Sequence, residues 1–142
     1  MTVPDNRIYK FIKKHHVLTL ATAIGNEPYC AHCFFAFDEA NNRVIFSSDL
    51  NTRHAREALK NKFVAGGIAL ETNIIGKIQG LQFQGIMQPL ENEEALKAGK
   101  KIYLKKFPYA RLMETTLWEI RFSFLKLTDN NLGFGKKIIW EK

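Results

Sequence analysis

A chain of 142 residues with 46% hydrophobic and 25% charged side chains suits a single domain over residues 1–142, and it excludes disordered, collagen-like and disulfide-stapled chains. Twenty-one Lys and Arg against 14 Asp and Glu leave a formal net charge of +7, which brings nucleic acid and anionic membranes into consideration as partners. No apolar run reaches the ~20 residues of a membrane-spanning helix.

Residues 4–14 read as a short helix, with Asp5 as its cap and Ile8, Phe11 and Ile12 at helical spacing. Residues 17–24 are rich in strand formers and stop at the turn signal Gly25-Asn26-Glu27-Pro28. A second strand over 29–38 alternates with period two. Tyr29, Ala31, Cys33, Phe35 and Phe37 share one face, and Cys30, His32, Phe34 and Ala36 share the other. Both faces are mostly apolar, so this strand is expected at the centre of its sheet. After a loop at 38–42 comes a third strand over 43–48. Residues 49–52 collect helix-starting side chains ahead of a helix over 53–60, which Asn61 is placed to end. Strands over 63–71 and 77–90 form a hairpin. In the second of them Leu81, Phe83 and Met87 alternate with Gln82, Gln84 and Gln88, while Gly80 and Gly85 suggest bulges or close backbone approach. A charged helix (about 92–107), a long strand (117–128) and a short final strand (137–140) complete the chain.

Short turns between consecutive strands favour antiparallel pairing, and about six strands at this length suggest a closed or nearly closed barrel with peripheral helices. The expected fold is mainly β with α additions. In the charged helix, Glu91, Glu93 and Glu94 precede Lys97, Lys100, Lys101, Lys105 and Lys106. That order complements a helix dipole and reads as a solvated face, so nucleic acid is not the first choice of partner.

The most informative stretch is Ser47-Ser48-Asp49-Leu50-Asn51-Thr52-Arg53-His54. A strand ends in two hydroxyls, and a helix opens with Thr, Arg and His. The free N–H groups of a first helical turn, added to those hydroxyls and a guanidinium, make an anion site suited to phosphate. The same residues also read as an ordinary helix cap beside a surface arginine. Cys30, His32 and Cys33 do not read as a metal site, because a strand sends Cys33 to the face opposite the other two. With no second cysteine pair and no signal-peptide pattern, a reducing compartment is implied, and the expected location is the cytoplasm. No motif for nucleophilic catalysis, dinucleotide binding or a P-loop is present.

Taken together, the segments resemble the pyridoxamine 5′-phosphate oxidase-like FMN-binding split barrels, in particular the small bacterial branch with a C-terminal Trp. Ala21 to Tyr29 is similar to the family's first hairpin. Val44 to Ser48 with Thr52-Arg53-His54 is similar to its phosphate motif, and Asn61 to Ala65 to the stretch that follows. Lys126 to Asn130 and Phe134 to Lys136 are similar to the closing strand. The resemblance implies a six-stranded antiparallel split β-barrel, and a cytoplasmic homodimer with FMN at the subunit interface acting as a flavin-dependent oxidoreductase. It implies that Ser47 and Ser48 bond the phosphate from the strand end and that Arg53 clamps it, with Thr52 and His54 beside it. The flavin ring is then supported by the second strand near His32 and Cys33 and reached by Gln82, with Gln79 as the alternative. Thr52 and His54 depart from the family's usual Ser and Lys, which makes one phosphate cation titratable near neutral pH. Haem or a deazaflavin is the alternative cofactor, and a cofactor-free basic nucleic-acid-binding protein is the alternative of another class.

Overall fold

The computed structural model describes residues 2–112 and 114–142. Its elements are α1 (Asn6–Lys13), β1 (Val17–Ile24), β2 (Glu27–Asp38), β3 (Arg43–Ser47), α2 (Arg53–Lys60), β4 (Phe63–Ala69), β5 (Gln79–Pro89), α3 (Glu93–Lys106), β6 (Leu117–Asp129) and β7 (Lys137–Glu141), joined by short 3-10 turns. All the strand pairings are antiparallel. The strands run β3-β2-β1-β4-β5-β6, and β6 returns to β3 through Arg43–Arg121 to Ser47–Leu117, closing a ring of six. A seventh strand, β7, lies outside the ring on the second half of β6. The barrel expected from the turns is present, and the extra strand is the short C-terminal one.

The ring is split because β3 is only five residues long. It covers β2 from Phe35 to Asp38, while β2 from Glu27 to Phe34 pairs with β1 alone. The strand thus exchanges one neighbour for the other at Phe34 and Phe35 and is flanked on both sides nowhere along its ladders, which corrects the expectation of a central strand. Cys30 and His32 are exposed, and Phe34 is 61% exposed, on the face the sequence pattern takes as buried.

Inside the ring, Leu18, Leu20, Phe35, Phe46, Phe83, Trp118 and Leu125 interdigitate, and α1 adds Ile8, Phe11 and Ile12. Two glycines of the β4–β5 pair contrast the filled inside of the ring with its open outer face. A Cβ at Gly66 would stand 2.2 Å from the Thr19 carbonyl oxygen and 2.4 Å from the Phe83 ring, whereas at Gly80 the nearest atom is the Ile68 carbonyl oxygen at 3.9 Å. Gly66→Ala is therefore expected to lose about 1–3 kcal/mol by overpacking. Gly80→Ala should stay within about 0.5 kcal/mol of the parent, and urea unfolding curves of the two variants check the difference.

A second apolar cluster, Ala36, Ile45, Leu90, Tyr103 and Leu117, seats α3 against β2, β3 and β6. Asn92 caps this helix by accepting from the Glu94 and Ala95 N–H groups, with acid in its first turn and base in its last, as the charge order predicts. Lys106 departs from a purely solvated face. Its Nζ donates to the His15 carbonyl at 2.5 Å and lies 4.6 Å from the Phe35 ring centre, and burial lowers its pKa. No helix among the described residues is long and apolar enough to cross a membrane.

Candidate functional site

The end of β3, the start of α2 and the open half of β2 meet at one place. Ser48 is fixed from both sides: its N–H donates to the Thr116 carbonyl at 3.0 Å, and its own carbonyl accepts from the buried Trp118 indole at 2.9 Å. Its hydroxyl lies 2.7 Å from His54 Nε2. Ser47, one residue earlier, shares a hydrogen bond with the Thr115 hydroxyl. Thr52 is the N-cap of α2, accepting from the Ala55 N–H at 3.3 Å while donating to the Asp49 carbonyl at 2.8 Å. Its hydroxyl is also 3.4 Å from His54 Nε2. The cap reading of this cluster is thus correct, and the cap brings two hydroxyls and an imidazole to one helix start. Burial pushes His54 below the ordinary imidazole pKa of 6.5.

Arg53 leaves this cluster sideways. Its guanidinium lies 4.2 Å above the Tyr29 ring of β2, and its Nε donates to Glu57 Oε2 at 2.8 Å. Glu57 is held in turn by the hydroxyl of Thr22, which is 1% exposed, at 2.8 Å. One guanidinium edge is therefore anchored, and the two terminal nitrogens have no protein partner among the described residues. The Arg53 side chain is 47% exposed, so those nitrogens can reach a ligand.

Beside this cluster runs the unpaired edge of β2. Phe35 donates to the His16 carbonyl, so the odd-numbered residues of β2 face β1 across hydrogen-bonded pairs. The backbone N–H and C=O groups of Cys30 and His32 consequently point at the open edge, while those of Phe34 turn toward the end of β3. A planar ligand with its own donors and acceptors could pair with them as an extra strand would.

Of the side chains singled out in the sequence, Ser48, Thr52 and His54 are in contact here, while Ser47 turns to Thr115 and the Arg53 side chain to Tyr29 and Glu57. Cys33 does not face out: it is 5% exposed, and burial raises its thiol pKa to about 11, leaving it protonated and unreactive at neutral pH. His32 and Gln82 lie on the outer face of the sheet, in one cross-strand row His32–Thr19–Gly67–Gln82–Lys126. His32 Nδ1 is 3.1 Å from the Thr19 hydroxyl, and Gln82 and Thr19 line a common trough. Gln79 is held between Lys14 and Asp129.

Comparison with known proteins gives the family. A UPF0306 protein of Photorhabdus laumondii subsp. laumondii is 38% identical over 135 residues, which is 95% of this chain and 94% of the relative. The chain belongs to the UPF0306 family. A UPF0306 protein of Yersinia pseudotuberculosis serotype O:1b is 35% identical over 144 residues, covering 100% of this chain and 97% of that one. No family model matches the sequence. Among solved structures, this UPF0306 chain is similar to a haem-binding protein from Mycobacterium smegmatis, with a TM-score of 0.79 and 14% identity over 99% of this chain and 60% of that one. It is also similar to an FAD-binding protein from Mesorhizobium loti (TM-score 0.73, 12% identity, 89% and 95% covered) and to one from Mycobacterium smegmatis (0.69, 13%, 88% and 93%). These likenesses establish the split-barrel fold that the resemblance implies.

Tyr29, Thr22, Glu57 and Thr115 escape the sequence reading of the site. Glu57 carries a signal, since it stands four residues after Arg53 in the same helix, where an ion pair is geometrically ready. Thr22, Tyr29 and Thr115 are brought in by strand pairing and loop return, which no local spacing encodes.

Proposed function

We propose that the protein binds FMN, holding its phosphate at the start of α2 and its ring along the open edge of β2, and that it serves as a flavin-dependent oxidoreductase of the pyridoxamine 5′-phosphate oxidase-like kind. The observation that carries this reading is the convergence of Ser48, Thr52, His54 and a half-anchored Arg53 on one helix N-terminus next to unpaired strand backbone. Hydroxyls, helix N–H groups and a guanidinium suit a phosphate ester, whose charge they complement. FMN supplies the electron transfer, and the protein supplies anchoring and orientation. The exposed apolar outer face around Val17, Phe34 and Phe63, at 45%, 61% and 65% exposure, supports a homodimer.

Titrating the purified protein with FMN while following the flavin's visible bands tests the reading. Saturable uptake of FMN with weaker uptake of riboflavin supports it, and uptake of haem alone, with a Soret band, overturns it. A donor set built for phosphate favours the flavin over haem.

His54 sets a pH dependence. A protonated imidazole adds positive charge beside the phosphate, so a bound dianion favours the protonated form and raises its pKa above that of the free protein. FMN affinity is therefore expected to rise several-fold as pH falls from about 8 toward the ordinary imidazole range of about 6.5. Riboflavin affinity should stay flat, and His54→Lys should abolish the difference in slope, with the phosphate's own titration common to both proteins. Without ligand the sign for stability is opposite: the folded pKa is depressed, so the unfolded chain takes up the proton more readily and stability falls as pH drops below about 6.5.

A further inference from the structure

The β3–β6 ladder begins at Ser47–Leu117, beside the α2 site, and ends four rows further on at Arg43–Arg121, about 14 Å away at the ordinary rise of a strand. At that far end a cavity of about 440 Å3 opens between residues 2–4, the turn at 39–42, β6 and β7. It shares no residue with the trough beside Gln82 or with the apolar face around Val17, Phe34 and Phe63. Its walls are aromatic: Tyr9 from α1, Phe122 from β6 and Trp140 from β7 border it, all three otherwise buried. Pairing of β7 with β6 sets Trp140 across from Leu125, and the Trp140 indole donates to the Thr2 carbonyl at 3.2 Å, tying the N-terminal segment to this wall. A ring that enters meets three others, which favour edge-to-face and offset contacts.

The charges at the rim are uneven. Among the described residues that border the cavity, Glu39 is the one carboxylate side chain, and Lys13 pairs with it. Arg121 and Lys142 supply positive charge on the other side. Arg121 rests on Glu119 through Nε at 2.5 Å and is 51% exposed, and its two terminal nitrogens have no protein partner among the described residues. Asn42, held in the left-handed region at a φ of 50°, also borders the cavity. Its Oδ1 has no hydrogen-bond partner, so nothing fixes which end of the amide a ligand meets. An apolar, ring-lined interior with a half-anchored guanidinium at its rim matches a ligand with an aromatic body and one anionic end.

We propose that this cavity binds an aryl carboxylate, its ring among Tyr9, Phe122 and Trp140 and its carboxylate on the free edge of Arg121. The volume is that of a small-molecule site, and a guanidinium anchored on one side presents a fork that a carboxylate fits. The site goes beyond the flavin reading and stands without it, since no residue of the α2 start or of the open β2 edge borders it.

Hydrocinnamate is the probe, read by the indole N–H resonances of the two tryptophans in the full-length protein. The expected result is a saturable shift of the Trp140 resonance, identified by its loss in Trp140→Phe. The Trp118 resonance should stay in place, because that indole is bonded to the Ser48 carbonyl at the other end of the ladder. Phenylpropanol, which keeps the ring and lacks the charge, should bind about tenfold more weakly, and Arg121→Ala should bring hydrocinnamate down to the affinity of the alcohol. The comparison of acid with alcohol in the parent protein needs no variant, so it decides the matter even where Arg121→Ala disturbs Glu119. Arg53→Ala should leave hydrocinnamate binding unchanged, which separates this site from the one proposed for FMN. Equal affinity for acid and alcohol, preference for phenylpropylamine, a response centred on Trp118, or no response at tens of millimolar hydrocinnamate overturns the proposal.

Discussion

Arg53→Ala is expected to weaken FMN binding by roughly 30- to 150-fold, the loss of about 2–3 kcal/mol that a charge-assisted phosphate contact supplies. The arginine is held in place before any ligand arrives. Tyr29 supports the face of its guanidinium, and Glu57, itself anchored by the buried hydroxyl of Thr22, takes its Nε. Little side-chain entropy is then left to lose on binding, so the contact should be worth more than that of a free surface arginine. The side chain is 47% exposed and covers no core residue, so the fold should survive the truncation with its unfolding midpoint nearly unchanged. Riboflavin, which lacks the phosphate, provides the internal control. Its affinity should move little in the variant, and equal losses for FMN and riboflavin would remove Arg53 from the phosphate and leave it a positioning role on β2.

How far the site could be read in advance follows from which contacts are local. Ser47, Ser48, Thr52, Arg53 and His54 fall within eight consecutive residues, and a strand end followed by a capped helix start is enough to bring Ser48, Thr52 and His54 into contact. The parts that make the arginine useful come from a distance. Tyr29 and Thr22 are on strands that pair around a hairpin, and the Trp118 indole that pins Ser48 is 70 residues away. Cys33 shows the same limit from the other side. Alternation along β2 correctly separates it from His32, but only the closed ring shows that its face is the interior.

The barrel was legible because the turns are short and the inner residues strictly alternate, as Leu81, Phe83 and Met87 do on β5. Its split was not. β2 looks central by composition, and nothing within it says that its neighbour β3 covers only the last four of its residues. The exposed Phe34 and the free backbone edge are consequences of that neighbour's length, a property of residues 43–47 and of the loop that follows them. Lys106 is a similar case. It continues a run of lysines that reads as solvated, and its burial depends on where α1 ends and offers the His15 carbonyl.

Arg43→Leu should be among the most destabilising single changes in the molecule, at about 3–5 kcal/mol. The Arg43 side chain is 6% exposed and binds two carboxylates that are equally enclosed: Asp38 through Nε at 2.7 Å, and Glu119 through a terminal nitrogen at 3.3 Å. Asn41 adds a bond to Asp38 at 2.9 Å, and Arg121 lies 2.5 Å from the other oxygen of Glu119. Removing Arg43 leaves Asp38 with a neutral partner and Glu119 with a single, half-exposed one, while both stay at the β2–β3–β6 seam that closes the ring. The size of the effect would then come from stranded charge and not from the attraction of the pair itself. The triple replacement Arg43→Leu, Asp38→Leu, Glu119→Leu separates the two causes, because it removes the charges together. Its stability, read from urea unfolding, should recover to within about 1–2 kcal/mol of the parent if desolvation is the cause. A triple variant as unstable as Arg43→Leu alone would mean that the network contributes directional bonds that apolar packing at this seam cannot replace.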